Sequence, residues 1–400
     1  MTKYVLFSFW IVLIYPLGVD LHLTGIPYIA ADLSASESQL HVAFSIYLAG
    51  MASTMLIGGW FADHVGRKPV VLVGTAIFAI SSVMAGNSTS IDLFLMARFL
   101  QGIGAGFCYV VTFAILRDVL SPQRRTKVLA AMNGVTCIAP VLAPVIGFAI
   151  LLVYHWSMMF YFMAAYAVLS MVFCLVSIKE TKPAARQETK HTTSSPDTTS
   201  SPDTTEKIFN LFFVTRLIIS CFGMAVILTY VNVAPIILMG NLGFTTGQYS
   251  TAMTVLAMVS MGTSFLMPKL LSTFNSQSLL NTALGLFLFN AVVLSVYLFT
   301  FNNLILLFIV FACSGMGFSM QFGIIMSQAL SPFARKAGIA SSILAISQLS
   351  FASLYIWLMG AIGIPSISML LIILLAAGTM GIILLRVPAT QVNEKVIACE

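Results

Sequence analysis

Long apolar runs separated by short polar breaks dominate this chain. The runs place membrane-spanning segments at 4–25, 39–61, 70–88, 92–114, 126–151 and 156–178. After a polar stretch they resume at 208–236, 249–271, 278–299, 304–327, 338–360 and 366–386. Each run is long enough to cross a hydrocarbon core of about 30 Å. Backbone in lipid must satisfy its own hydrogen bonds, so segments of this length are read as helices. The short alternating segments of a membrane β-barrel are absent. All but one of the breaks are 13 residues or fewer, short enough to make successive helices antiparallel neighbours. The pattern therefore predicts an all-α polytopic membrane protein of twelve transmembrane helices.

One break is different. Residues 179–207 carry many charges and a tandem Thr-Ser-Ser-Pro-Asp-Thr run. Such a segment cannot bury enough apolar surface to fold. The expected organisation is an N-terminal six-helix bundle at 1–178, a cytoplasmic flexible linker at 179–207, a C-terminal six-helix bundle at 208–386 and a cytoplasmic tail at 387–400. Composition agrees: 59% of residues are hydrophobic and 8% charged, against about 25% charged in soluble domains.

Charge then orients the helices. With a cytoplasmic N-terminus, Lys3, Arg67, Lys68, Arg117, Arg124, Arg125 and Lys127 all fall on the inner side. So do the basic residues of the linker, Lys269, Arg335, Lys336 and Lys395, and the outward loops hold no Lys or Arg. This is the positive-inside asymmetry. The net charge of +6 thus reads as topology, and its scatter makes no stripe for a nucleic-acid backbone. Of the six cysteines, five lie within apolar runs and Cys399 in the tail. None is on an outward segment, so no disulfide is expected. The first apolar run has no small-residue cleavage site and reads as a retained helix.

The two halves echo one another. Leu120-Ser121-Pro122-Gln123-Arg124-Arg125 follows span four, and Leu330-Ser331-Pro332-Phe333-Ala334-Arg335 follows span ten. Two parallel six-helix repeats are a transporter design.

Between spans two and three stands Gly59-Trp60-Phe61-Ala62-Asp63-His64-Val65-Gly66-Arg67-Lys68-Pro69. Asp63 is placed to cap a helix start, and Gly66 to permit a tight turn. Span four carries Arg98-Phe99-Leu100-Gln101-Gly102-Ile103-Gly104-Ala105-Gly106. Span five carries Ala139-Pro140-Val141-Leu142-Ala143-Pro144-Val145-Ile146-Gly147. Pro140 and Pro144 each remove a backbone donor, and Gly134 and Gly147 allow a neighbour to come close.

These segments resemble, in order, the signature loop of the major facilitator superfamily, its fourth-helix motif, and the fifth-helix motif of its antiporters. Nearly end to end, the chain resembles the twelve-helix drug:proton antiporter family. That resemblance implies two pseudo-symmetric six-helix bundles and proton-driven export of small drug-like molecules, chloramphenicol among them, by alternating access. It also implies a monomer in the bacterial inner membrane, with the proton and a small-molecule drug as partners and no cofactor. Gly59, Asp63, Gly66, Arg67, Lys68, Pro140, Pro144 and Gly147 become gating residues on this view, with Arg117 and Asp118 as interfacial anchors and gate partners. There are departures. His64 stands where the family usually has Arg, and Ala143 replaces a glycine. The second half lacks the Asp-x-x-Gly-Arg pattern and keeps only Lys269.

Two charges lie well inside the spans, Asp20 in span one and Arg98 in span four. Each costs about 2.5–3.5 kcal/mol at a helix centre, so each needs a reason. They lie about five and about six residues from the outer ends of their spans, which puts them at similar depth at 1.5 Å per residue. An ion pair or close approach is therefore allowed. Burial favours a neutral carboxyl and a nearby guanidinium favours the charged one, so Asp20 tuned by Arg98 is the expected proton carrier. A structural Asp–Arg pair is the alternative. His22 and His41, near the outer face, read as satisfied polar residues. Arg216, in the first turns of span seven, is expected to snorkel to the inner surface.

Substrate contacts are less legible. Tyr47, Asn133, Tyr230, Asn232 and Gln321 are the polar candidates within the spans. The 22 Met and 30 Phe residues suit an adaptable apolar wall. Proton-coupled uptake of a nutrient, and a membrane receptor or enzyme, are the competing readings. The chain has no G-x-x-x-x-G-K-[ST] phosphate loop and no His/Cys cluster with metal spacing.

Overall fold

The computed structural model describes residues 2–181, 210–300, 303–333 and 337–386, which form helices and no strands. Of the proposed linker only Lys179, Glu180 and Thr181 fall within the described residues, and the proposed tail lies outside them. Among the described residues there are twelve helical passes. The first, Thr2–Asp32, is broken into α1 (Thr2–Val12), α2 (Ile14–Asp20), a 3-10 segment (Leu21–Gly25) and α3 (Ile26–Asp32). Then come α4 (Glu37–Val65), α5 (Arg67–Gly86), α6 (Ile91–Val119), α7 (Pro122–Leu151) and α8 (Ser157–Ser177). The second half holds α9 (Leu211–Pro235), extended by a π turn at Ile236–Asn241, and α10 (Thr246–Thr273). It closes with α11 (Ser276–Phe299), α12 (Leu304–Leu330), α13 (Ala337–Ile362) and α14 (Ser366–Leu385). Ten passes are long and apolar enough to span a membrane as they stand. The eleventh, α4, bends by 44° after Met55. In the twelfth, α7, the apolar stretch is Ile138–Leu151.

The breaks in the first pass have a local cause. Proline lacks the N–H that would bond the carbonyl four residues earlier. Pro16 thereby frees the Val12 carbonyl, where α1 stops, and Pro27 frees that of Leu23, inside the 3-10 segment. Hydropathy alone reads this region as one uniform helix.

The halves carry a second echo besides Leu-Ser-Pro. Span two begins with a capping box at Ser36 and Gln39, and span eight with one at Thr245 and Gln248. In each, the hydroxyl accepts the N3 amide while the glutamine takes the cap's own N–H.

Call the side bearing Arg67, Lys68, Arg117 and Lys269 the basic end. The halves meet chiefly where α4 lies on α13 and α7 on α10, towards the opposite, far end. There Ser38 Oγ donates to Gly360 O (2.6 Å), Ser353 Oγ to Ser45 O (2.8 Å) and Ser250 Oγ to Pro144 O (2.8 Å). Thr254 Oγ1 donates to Val141 O at 3.3 Å.

Arg216 departs from expectation. It does not reach the surface but is 3% exposed, donates from Nε to Gln328 Oε1 (2.8 Å) and lies 4.6 Å over the Phe212 ring. Packing against α12 supplies an acceptor nearer than the membrane surface.

Candidate functional site

Asp20 ends α2, where the chain turns into the 3-10 segment, and is 7% exposed. Among the described residues it makes no ion pair with Arg98. The pairing allowed by depth is not formed, because depth does not specify the direction in which a side chain points. Arg98 is fully buried. Its Nη1 donates to Gly18 O (3.0 Å) and to the Gln101 side-chain oxygen, and its guanidinium lies 4.4 Å over the Tyr47 ring. Gln101 passes the contact on, donating from Nε2 to Ser82 Oγ at 2.8 Å. Two donors of Arg98, Nε and Nη2, have no partner.

Asp20 instead lies within electrostatic range of four phenols. Its charge is close enough to act on Tyr15 and Tyr47 of its own half and on Tyr230 and Tyr249 of the other. Tyr15 and Tyr249 are the functional candidates that sequence reasoning missed. Tyr249 opens the eighth apolar run at its outer edge, so the depth count that matched Asp20 with Arg98 did not reach it. The Tyr249 hydroxyl is buried without a partner.

The other candidates separate cleanly. Tyr47 donates its hydroxyl to Tyr15 O (3.1 Å), and its ring lies under the Arg98 guanidinium. Asn232 is fully buried against His41, at 2.7 Å. Tyr230 leans on Phe311 and directs its hydroxyl to the Met253 sulfur, and Gln321 donates to Ile219 O with its Oε1 unpartnered. Asn133 lies on α7, and its side chain falls outside the described residues. His22 is buried with Nδ1 unpartnered, so the expectation of a fully satisfied ring fails at that atom.

The signature loop also differs from its reading. Asp63 caps no helix. It sits in the last turn of α4 and pairs through Oδ1 with Arg67 Nη2 (2.9 Å) and Arg117 Nη2 (3.6 Å). The start of α5 is capped by Glu180, beyond α8, which accepts from the amides of Arg67 (2.9 Å) and Lys68 (3.1 Å). A carboxylate is favoured at a helix N-terminus by the exposed amides and the helix dipole. Only the fold brings residue 180 to residue 67. Gly66 has φ +112°, a conformation that L side chains rarely adopt, and a Cβ there would meet the Glu180 carboxyl. Arg67 is the hub: Nε binds Asp118 Oδ2 at 2.7 Å and Nη1 donates to Ala62 O at 2.7 Å. Lys68 Nζ donates to Leu175 O. Arg117 lies 3.8 Å from Asp118 and is half exposed. The network ties α4, α5, α6 and the end of α8 together, all within one half.

The fifth-helix motif packs α7 on the broken first pass. A Cβ at Gly147 would lie 2.8 Å from Thr24 Oγ1 and 3.0 Å from Leu21 O. Gly59, by contrast, faces only Val110 at 3.8 Å. Pro140 and Pro144 lie inside α7, which continues through both. A groove of about 850 Å³ between α10 and α12, lined by Phe244, Val255, Val259, Ile305 and Phe308, holds none of these candidates.

The profile of the Major Facilitator Superfamily matches residues 8–356. The chain belongs to that superfamily. It is therefore a membrane-embedded transporter of small molecules, as its helices and loop motifs imply. This superfamily member is 48% identical to the multidrug resistance protein MdtL of Shewanella oneidensis, over 99% of this chain and 98% of that protein. It is 46% identical to MdtL of Vibrio parahaemolyticus over 98% of each. In fold it is similar to a D-xylose–proton symporter (TM-score 0.76, 16% identity, 96% of each chain). It is also similar to the inward-open xylose transporter XylE of E. coli (TM-score 0.73, 15% identity, 97% of each chain). At those identities the two structures establish the architecture alone.

Proposed function

We propose that this transporter is a proton-driven multidrug efflux antiporter of the bacterial inner membrane, with chloramphenicol among its substrates. Near-half identity to MdtL proteins over the full length supports drug export. The basic residues, gathered at one end, support cytoplasmic termini. With that orientation the seam between halves is closed on the outer side. The proposed functional unit is a monomer.

The observation that carries proton coupling is Asp20, a buried carboxyl with no cation in bonding contact, set beside an arginine with two unpartnered donors. Protonation removes the charge that burial penalises. Ionisation creates one that needs donors, and Arg98 Nε and Nη2, which have no partner, are proposed to turn towards it. Asp20 thus alternates between a neutral state among tyrosines and a charged state held by Arg98. Tyr230 and Tyr249 lie within electrostatic range of Asp20 from the second half, and with Gln321 they are the residues proposed to feel bound drug.

The test is Asp20→Asn in vesicles carrying a proton gradient, with chloramphenicol as substrate. The variant is expected to purify as a folded protein and to lose gradient-driven transport. Wild-type rates would overturn the assignment.

A further inference from the structure

His41 sits where both halves meet at the far end, 1% exposed, on the second turn of α4. Its Nδ1 lies 2.7 Å from Asn232 Nδ2 of α9, and its Nε2 lies 3.2 Å from Ser366 Oγ of α14. One turn earlier on its own helix, Glu37 Oε1 lies 3.6 Å from Nε2. The same Oε1 accepts from the Ser366 amide (3.1 Å) and hydroxyl. Gly360 of α13 closes over the ring: a Cβ there would lie 2.9 Å from His41 Cβ. A single histidine therefore touches three helices of the opposite half.

Other titratable groups near it are engaged elsewhere. Tyr230 of α9 turns to Met253, and Tyr355 of α13 donates to Met369 O. Helix α14 has no titratable side chain. Asp32, ending α3, is held by His155 (2.7 Å) and Trp156 (2.7 Å), both of its own half. Glu37 is thus the charged group facing His41 among the described residues, and its side chain is 44% exposed. It can pass protons between water at the far end and the ring.

A neutral imidazole has one donor and one acceptor, whereas the protonated ring has two donors. Asn232 Oδ1 is buried and has no partner. A half-turn of that amide brings Oδ1 to Nδ1, so the protonated ring finds an acceptor on each side, Asn232 and the Glu37 carboxylate. In an opened seam Asn232 and Ser366 are gone, and the remaining Glu37–His41 pair is a solvated i,i+4 contact of about 0.3–0.5 kcal/mol. Desolvation of the imidazolium opposes closing, and the carboxylate beside it, anchored by Ser366, offsets that penalty.

We propose that His41 is a second proton-binding site, lying in the seam between the halves, and that its protonation holds the far end closed. It differs from Asp20 both in place and in role. Asp20 is proposed to couple the proton to drug, and His41 to couple outer acidity to the seam.

The test is a spin-label distance measurement between Val153→Cys and Ile305→Cys, on exposed far-end positions of the two halves. The labelled protein is in nanodiscs without drug, with native cysteines replaced. In otherwise wild-type protein the closed-to-open ratio is expected to fall, by up to about tenfold per pH unit, as pH is raised across the titrated interval. His41→Gln is expected to abolish that response, and Glu37→Gln to keep it with a displaced midpoint. A response unchanged in His41→Gln, or absent from the wild type, overturns the proposal. Should His41→Gln fail to fold, an unmoved midpoint in Glu37→Gln overturns it equally. Repeating the series in Asp20→Asn separates the two sites, because the seam response is expected to persist there whatever becomes of transport.

Discussion

Two carboxylates touch the Arg67 guanidinium, and the structure ranks them opposite to the sequence motif. Asp63 belongs to the signature loop, yet its side chain is 57% exposed. Asp118 lies outside the motif, and the Arg67–Asp118 pair is 4% and 6% exposed at 2.7 Å. Removing one partner of a buried pair costs about 3–5 kcal/mol, whereas exposed pairs contribute about 0–1 kcal/mol. Arg67 would keep Asp63 and Ala62 O, so Asp118→Ala belongs at the low end, about 3 kcal/mol. Asp63→Ala should cost no more than about 1 kcal/mol. For a cooperative unit the size of the N-terminal half, 1 kcal/mol shifts Tm by about 2–4 °C. Asp118→Ala is then expected to lower Tm by about 6–12 °C and Asp63→Ala by at most about 4 °C. Thermal unfolding in detergent micelles, followed by tryptophan fluorescence, reads this directly, since Trp10, Trp60 and Trp156 report on the first half. The double replacement Arg67→Met with Asp118→Leu should recover part of the loss, because it leaves no unpaired buried charge. Equal shifts for the two aspartates, or a larger one for Asp63, would refute the reasoning.

Gly66→Ala should lower Tm in the same assay, by about 2–8 °C, because left-handed backbone costs an L residue about 1–2 kcal/mol and the new Cβ meets Glu180. Pairing it with Glu180→Ala relieves the clash but leaves the strain, so no full recovery is expected. Gln101→Leu removes the side-chain acceptor of Arg98 and the donor to Ser82. Leaving buried polar groups unmade costs about 1–3 kcal/mol, and a variant as stable as the wild type would show that Gln101 does not hold Arg98.

The passes, the basic end, the superfamily and the two buried charges were all legible in the chain. They share a physical cause. A bilayer is a solvent that varies along one axis, so hydropathy, charge asymmetry and depth are written residue by residue along the sequence. The tandem polar run and the Leu-Ser-Pro echo likewise need no partner to be recognised. What the sequence did not carry is who faces whom. Depth put Asp20 level with Arg98, but rotation about each helix axis sent Arg98 to Gly18 O, Gln101 and Tyr47. Asp63 looked like a cap until the chain end beyond α8 returned Glu180 to the start of α5. His41 read as an ordinary polar residue until α9, α13 and α14 closed around it. Azimuth, tilt and the meeting of distant segments are set by packing between helices, and packing is a property of surfaces that only the assembled bundle possesses.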